Sequence, residues 1–393
     1  MIVTAKSAAT ASLSWDAVAA RRMARHALTE PAADLGPAEI AGVLCGAHAQ
    51  VLSAAELSIG RRIAGATRAD VQRALWDDRT LVKTFGPRGT VHLLPTADLP
   101  MWTGALSALP SSVPLHPDPV RFSAEQADEV IAAIGGALAA AELTVDELTD
   151  AIVARTGPWA GERTMDAFQD KWPRWRQLTS TAAHRGVLCF GPNRGRSVTY
   201  TNPHRWLPGF RPDDGEAALR ALVARYLDAY GPATPQHFAK WLSIPPRSAV
   251  ELFASLAGEL EEVELDGQPA WTVAGDTETP QQQAPGIRLL PYFDAFVVAG
   301  QPRQRLYPGA AATRVLTPSG QAGNYAVVLV DGVVGGLWHQ RRFGGRLAIT
   351  VEPLGELSAG HRRQLADEVD LVGAVMQAKP TLSVGTVSVG PHA

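Results

Sequence analysis

The sequence predicts an α+β protein in which a helical unit closed by a β-hairpin occurs three times and a strand-rich domain follows. Two observations support this prediction: hairpin signals recur after stretches of apolar residues at helical spacing, and beyond residue 279 the apolar spacing becomes that of strands. With 393 residues, the chain is too long for a single hydrophobic core and should divide into several domains.

The first repeat, residues 14–105, is predicted to contain four helices and a hairpin. Apolar spacing and capping signals place the helices over 15–28, from 37, over 53–64 and over 68–78. Two apolar runs on either side of Gly86-Pro87-Arg88-Gly89 predict a hairpin over 81–94. Helices followed by a hairpin are the layout of a winged helix, in which the hairpin is the wing.

The same order of elements is predicted twice more before the chain changes character. In the second repeat, residues 106–212, the helices are predicted over 123–141, 144–156 and 174–185 and the hairpin over 187–200. In the third, residues 213–278, they are predicted over 216–230, 234–241 and 246–256, with a hairpin turn at 266–268. The last domain, residues 279–393, is predicted to be β-rich and barrel-like, with strands over 287–290, 295–298, 324–330, 333–338, 347–351 and 381–389 and a helix over 358–377.

Composition limits the classes of protein that remain. The chain is 46% hydrophobic and 19% charged, which predicts a soluble globular protein, and no apolar run is long enough for a membrane span. Cys45 and Cys189 are the only cysteines and form no CxxC pair, so we expect a reducing cytoplasm and no zinc site. The net charge of −3 does not exclude nucleic-acid binding, because a basic stripe on one face is sufficient.

One tripeptide combines side chains that could perform chemistry, His48-Ala49-Gln50. It lies between two predicted helices, where the chain should be extended, so His48 and Gln50 would project to one side and Ala49 inward. An imidazole and a carboxamide side by side can orient and deprotonate a water molecule. The alternative is a pair of ordinary polar groups in a bend. Motifs for nucleotide phosphates, zinc proteases and serine hydrolases are absent from the sequence.

This tripeptide resembles the His-apolar-Gln variant of the Gln-apolar-Gln motif in the AlkZ-type winged-helix alkylpurine DNA glycosylases. The resemblance continues in residues 81–95, 290–294 and 327–338, which occur in the family's order and cover most of the chain. It implies an α+β fold of three tandem winged-helix domains around a DNA-binding channel plus the C-terminal β-rich domain. His48 departs from the best-known members, which have Gln at this position.

The resemblance also implies the activity, a monofunctional DNA glycosylase that hydrolyses the N-glycosidic bond of bulky or crosslinking N7-alkylpurine adducts. Such enzymes act in DNA repair or in self-resistance to alkylating antibiotics. His48 and Gln50 would be the catalytic residues, and no metal or organic cofactor is implied. We expect a cytoplasmic, nucleoid-associated monomer that binds double-stranded DNA bearing alkylated purines and no membrane.

Further residues are candidates for DNA contact because of their charge, their place in the wings or the family resemblance. The residues from 314 to 325 match a family hairpin that reaches into the DNA groove. The DNA-binding candidates are Arg61, Arg62, Arg88, His92, Arg194, Arg196, Ser319, Gln321 and Asn324. Asp294 is expected to give structural support to the C-terminal domain.

Two alternatives from other functional classes remain open at this stage. The first is a tandem winged-helix transcription regulator without catalysis, in which the helix over 68–78 would read bases through Arg68, Gln72 and Arg73. The second is a degenerate relative that only binds lesions. Release of a damaged base by the purified protein would separate the enzyme from both alternatives.

Overall fold

The computed structural model describes residues 11–110, 120–166, 171–280 and 286–389. Helices and strands alternate through these ranges, which confirms the α+β class, and none of the described helices is long and apolar enough to cross a membrane. The chain divides into two compact units. The first unit comprises Asp34–Leu222 and Leu242–Ile244; the second comprises the chain up to Ala33, Val223–Trp241 and the chain from Pro245.

The elements have the following bounds. The first stretch contains β1 (Ser12–Leu13), α1 (Trp15–Arg25), α2 (Pro37–Val43), β2 (Ala47–His48), α3 (Leu52–Gly60), α4 (Arg68–Trp76), β3 (Leu81–Phe85), β4 (Val91–Pro95) and α5 (Leu99–Ser107). The second contains α6 (Ala124–Leu138), β5 (Leu143–Thr144), α7 (Val145–Thr156), α8 (Pro158–Gly161), β6 (Arg163–Asp166), β7 (Lys171–Pro173), α9 (Thr179–His184), β8 (Cys189–Arg194) and β9 (Ser197–Thr201).

The remaining elements complete the third repeat and the C-terminal domain. They are α10 (Gly215–Tyr230), α11 (Pro235–Leu242), α12 (Pro246–Ser255), β10 (Leu260–Leu265), β11 (Gln268–Val273), β12 (Ile287–Leu290), α13 (Ala295–Ala299), α14 (Arg303–Leu306), α15 (Ala310–Arg314), β13 (Ala326–Val330), β14 (Val333–Phe343), β15 (Arg346–Pro353), α16 (Ala359–Val375) and β16 (Lys379–Val384).

The three repeats share one topology. In the first, the short strand β2 between two helices pairs with the second strand of the hairpin, which gives the sheet order β2-β4-β3. The second repeat has the equivalent order β5-β9-β8. In the third, an isolated bridge between Ala233 and Trp271 takes the place of the short strand. In each repeat, the short paired segment follows one helix and precedes the next, and it pairs with the second strand of the hairpin.

The N-terminal segment packs in the second unit, although the sequence placed it in the first repeat. Strand β1 pairs in parallel with β10, Ser12 opposite Glu264. Trp15, Ala19 and Met23 of α1 join an apolar core with residues of β13 and β14. The apolar spacing therefore predicted the helix α1 correctly, but such spacing does not show which core a helix will join.

The C-terminal domain is built on a five-stranded sheet with the order β12-β13-β14-β15-β16. The predicted strand over 295–298 is wrong, because this segment is the helix α13. Asp294, 1% exposed, caps that helix by accepting a hydrogen bond from the backbone N–H of Phe296 at 3.0 Å. The two valines of this segment favoured a strand, whereas the buried N-cap selects a helix.

The hairpin expected over 314–325 is also wrong. This segment is the end of α15 followed by a turn, in which the Thr317 N–H donates to the Gln321 carbonyl at 3.0 Å. The long hairpin of the domain is instead β14–β15, whose turn is Gly344-Gly345. Thr317, Pro318 and Ser319 are turn formers, but no apolar strand precedes them to form a ladder.

One buried arginine ties together several segments of the second unit. Arg22 of α1 is 4% exposed, and its guanidinium donates to the carbonyls of Gly231, Pro232 and Gln301. Burial lowers the pKa of Arg22 to about 10, so the side chain remains charged at neutral pH. A buried charge is tolerated here because its N–H groups are matched by carbonyl oxygens.

Replacement of Arg22 by Met should therefore destabilise the protein. The substitution keeps the apolar stem but leaves buried carbonyls without their donor, which should lower the free energy of unfolding by about 3 kcal/mol. Urea unfolding followed by tryptophan fluorescence measures the change. Arg247→Met is the matched control: this side chain is 90% exposed and pairs with Glu251, so we expect a change within about 0.5 kcal/mol. Equal unfolding midpoints for the two variants would refute a structural role for Arg22.

Candidate active site

Strand β2 carries the candidate catalytic pair to the sheet of the first repeat. His48 lies opposite His92 of β4, and the Ala49 N–H donates to the Val91 carbonyl at 2.7 Å, so the chain stays extended past β2. Ala49 is fully buried, His48 is 8% exposed and Gln50 is exposed. The side chains of His48 and Gln50 thus leave the extended segment on the side away from Ala49.

The turn that leads into β2 requires glycine. Cys45 and Gly46 have φ angles of 50° and 93°, and together they end α2 and redirect the chain into the sheet. A Cβ atom on Gly46 would lie 2.7 Å from Cδ2 of Leu94, so a side chain there would displace Leu94 in addition to straining the backbone. The position of His48 therefore depends on a glycine immediately before the strand.

His92 is buried beside His48 and is not a DNA contact, contrary to the expectation from sequence. It is 4% exposed, and its ring meets that of His48 edge-on with centroids 5.0 Å apart. Its Nδ1 lies 2.8 Å from the Thr90 carbonyl. Burial, and then the charges of His48 and Arg88, hold the pKa of His92 well below its usual value, so the ring is neutral.

A buried polar cluster that the sequence did not reveal joins α3 to α4. Glu56 is 1% exposed; it accepts a hydrogen bond from Gln72 at 2.7 Å and pairs with Arg68 at 2.9 Å. Burial raises the pKa of Glu56. Arg68 and Gln72 are four residues apart on one helix face, which is the only sequence signal that they act together.

This cluster also bears on the regulator alternative. Two of the three side chains on α4 that would have read bases, Arg68 and Gln72, are bound to Glu56. The third, Arg73, pairs with Asp70 at 2.6 Å. Base readout in the major groove needs side chains that extend freely from the helix, so the geometry of α4 does not favour sequence-specific recognition.

The basic residues proposed for DNA contact in the first unit fall into two groups. Arg61 and Arg62 are 2% and 0% exposed, and Arg62 donates to the Ser58 carbonyl at 2.6 Å, so both are interior and the predicted phosphate contacts are wrong. Arg88 is half-buried in the turn between β3 and β4, with φ 61°. It lines a cavity of about 440 Å³ together with Ser180 and other residues of α9.

The second wing offers one arginine rather than two. Arg194 forms an ion pair with Glu147, and this pairing, together with the backbone N–H of Thr144, lowers the pKa of Glu147 to about 2. Glu147 belongs to the capping box of α7, so Arg194 links the wing to the start of that helix. Arg196 is exposed at the turn.

In the second unit, the polar residues of the 314–325 segment differ in accessibility. Ser319 and Gln321 are exposed and Asn324 is half-buried.

The tip of the β14–β15 hairpin is more strongly basic than the 314–325 segment. Arg341 lies 4.7 Å from the ring of Phe343, which is 54% exposed.

Strand register places the basic residues of this hairpin on one face. Phe343 lies opposite Arg346, which lies opposite Lys379 of β16, and all three are exposed. Arg342 points to the other face, where it donates to the Met376 carbonyl at 3.0 Å. The alternation that separates Arg342 from its neighbours depends on the strand continuing to Phe343, whereas the sequence predicted a strand that ends at residue 338.

Across the described parts of the chain, no group of three or more His, Cys, Asp or Glu residues could hold a metal ion. His48, at the end of β2, and Gln50, two residues further on, bring an imidazole and a carboxamide to one side of the extended segment. Such a pair can bind a water molecule and accept its proton.

Known proteins are similar to this chain over most of its length. Residues 41–375 match the family model described as DNA glycosylase AlkZ-like. A relative from Streptomyces sahachiroi named interstrand DNA cross-link repair glycosylase is 35% identical over 342 residues, which cover 83% of this chain and 87% of the relative. The solved structure of Streptomyces sahachiroi DNA glycosylase AlkZ is similar with a TM-score of 0.80 and 28% identity, covering 95% of this chain and 100% of that one. The chain thus belongs to the AlkZ-like family of DNA glycosylases and is itself a DNA glycosylase.

Proposed function

We propose that this glycosylase hydrolyses the N-glycosidic bond of N7-alkylpurines, including bulky and crosslinking adducts, and that His48 and Gln50 are its catalytic residues. The observation that carries the proposal is their common side of an extended segment, on which Gln50 is exposed and His48 is 8% exposed. The relative named for interstrand cross-link repair supports the substrate class. Repair of such damage, or self-resistance to an alkylating antibiotic, is the corresponding biological role.

The chemistry of the lesion suits such a small catalytic apparatus. Alkylation at N7 puts a positive charge on the purine, so the base leaves as a neutral group and needs no general acid. The enzyme then has to stabilise a sugar cation and supply a water molecule to it. Gln50 holds the water by its side-chain carbonyl, and the His48 imidazole accepts a proton from it.

We further propose that the repeats are winged-helix domains bounded by residues 14–105, 106–212 and 213–278, with α1 transferred to the second unit. Their shared strand order supports this assignment. The DNA contacts are assigned to Arg88, Arg196, Ser319, Gln321 and Asn324. Arg341, Arg346 and Lys379 join this set because they lie exposed on one face of the hairpin sheet. The enzyme is proposed to act as a monomer.

Substitution of the catalytic pair tests the proposal. His48→Ala and Gln50→Ala should each lower the single-turnover rate of N7-methylguanine release from duplex DNA by roughly 10- to 1000-fold, the scale of one lost base or positioning group. Affinity for the duplex should stay within about twofold, because neither side chain is assigned to the phosphates. Chromatographic detection of the free base gives the rate, and fluorescence anisotropy gives the affinity.

The control is Gln364→Ala, which removes an exposed carboxamide from α16 and should leave both quantities unchanged. Unchanged rates in both catalytic variants would reject the assignment of His48 and Gln50. A wild-type protein that releases no base but binds an undamaged sequence tightly would support the regulator alternative.

The hairpin tip makes a separate prediction about salt. If Arg341 and Arg346 each contact a phosphate, the double variant Arg341→Gln/Arg346→Gln should reduce the slope of log affinity against log salt by about 2, since each neutralised phosphate contributes about 0.9. Affinity measured between low and moderate salt tests this. Arg362→Gln/Arg363→Gln removes the same charge from the exposed face of α16 and should keep the wild-type slope. Identical slopes for both double variants would exclude the tip from the interface.

A further inference from the structure

We propose that His92 is a positioning residue: its neutral ring fixes the orientation of the His48 imidazole and confines the single proton that the pair can carry to His48. This inference rests on the proposed role of His48. It assigns to the strand β4 a part in the reaction that neither the family match nor the names of the relatives describe.

Register and ring geometry place the two imidazoles in direct contact. His48 and His92 are partners across β2 and β4, and paired residues lie on the same face of a sheet. Their planes are inclined by 65° with centroids 5.0 Å apart, so an edge of one ring meets the face of the other. The exposed Gln50 follows on the same side of the strand, so an error in the angle of His48 would separate it from Gln50.

A backbone hydrogen bond fixes the protonation state of His92. The Thr90 carbonyl can only accept, so the hydrogen lies on Nδ1 of His92, 2.8 Å away. A proton on Nε2 as well would create a buried cation. Burial opposes that cation most strongly, followed by His48 on β2 and Arg88 in the β3–β4 turn, and these lower the pKa of His92. Three further ionisable groups lie on the surrounding elements: Glu56 of α3 and Lys83 of β3 interact with each other, and His184 of α9 interacts with the backbone of Gly86.

Two glycines leave room for the His92 ring. A Cβ atom on Gly86 would lie 2.9 Å from Nδ1 of His92, and one on Gly46 would lie 3.4 Å from its Cδ2. Thr84, 2% exposed, is the partner of His92 on β3. The ring is thus enclosed by backbone and by a neighbouring strand, so it cannot turn away from His48.

It follows that the two histidines have different roles: His48 carries the proton and His92 stays neutral. A second proton on the pair would place two cations within 5.0 Å of each other, so only one ring can be charged. The hydrogen bond to the Thr90 carbonyl and the burial of His92, which is 4% exposed, select His48 for that charge.

Nitrogen NMR of the full chain tests the assignment without any need for glycosylase activity. With ¹⁵N-labelled histidine, the His92 resonances should show a neutral ring with hydrogen on Nδ1 throughout pH 8 to 5, while His48 titrates in one step. Variants His48→Ala and His92→Phe assign the signals. A His92 ring that gains a second proton before His48, or that carries its hydrogen on Nε2, would overturn the proposal.

Kinetics test the positioning itself. His92→Ala empties the space beside His48 and should lower kcat by about 10- to 100-fold while KM changes less than twofold. His92→Phe keeps an aromatic ring in that space and should recover at least half of the lost activity on a logarithmic scale. His361→Ala, a half-buried histidine of α16, is the control and should match wild type.

The NMR and the kinetic experiments together distinguish a failure of this proposal from a failure of the proposed function. If wild type releases no base, the function fails, and the NMR result still decides the state of His92. If wild type is active and His92→Ala has the wild-type kcat, the positioning role is wrong while the function stands. Equal losses in the Ala and Phe variants would also reject it, because they would show that ring packing does not matter.

Discussion

The pairing of β2 with β4 is the interaction on which the rest of the site depends. Two consecutive backbone partners, Ala47 with Leu93 and His48 with His92, set which side chains face the hairpin and which face solvent. A shift by one residue would turn His48 and Gln50 to the side now occupied by the fully buried Ala49, because side chains alternate along an extended chain. The left-handed turn at Cys45 and Gly46 leads the chain into this register, and its φ of 93° at Gly46 favours glycine.

Charge in the interior of the first unit supports the same geometry. The Glu56 carboxylate is satisfied by Arg68 and Gln72, so α3, which follows the catalytic segment, is fastened to α4. That use of α4 separates this chain from a regulator that reads bases with the equivalent helix. Affinity for DNA is assigned instead to exposed cations on turns and strands, which can neutralise phosphates without reading sequence.

Much of this arrangement follows from local patterns, and the rest does not. Helical spacing and turn residues predicted the three repeats, their hairpins and the extended segment at His48 and Gln50. They missed the packing of α1 in the second unit, because an apolar face does not identify its partner core. They also assigned Arg61 and Arg62 to DNA, because the burial of an arginine is decided by distant segments. They also predicted a strand where α13 lies, because the two valines of that segment favour a strand. The buried N-cap Asp294 selects a helix there instead.

The central claim is that His48 and Gln50 face the sugar from which the base departs. Duplex DNA carrying a cationic 1-aza-deoxyribose at one position mimics that sugar in its charged state. Titration of this duplex into labelled protein should shift the side-chain amide of Gln50 and the imidazole of His48, and should leave His361 on α16 unaffected. Tight binding of the same duplex with both catalytic side chains unperturbed would contradict the account.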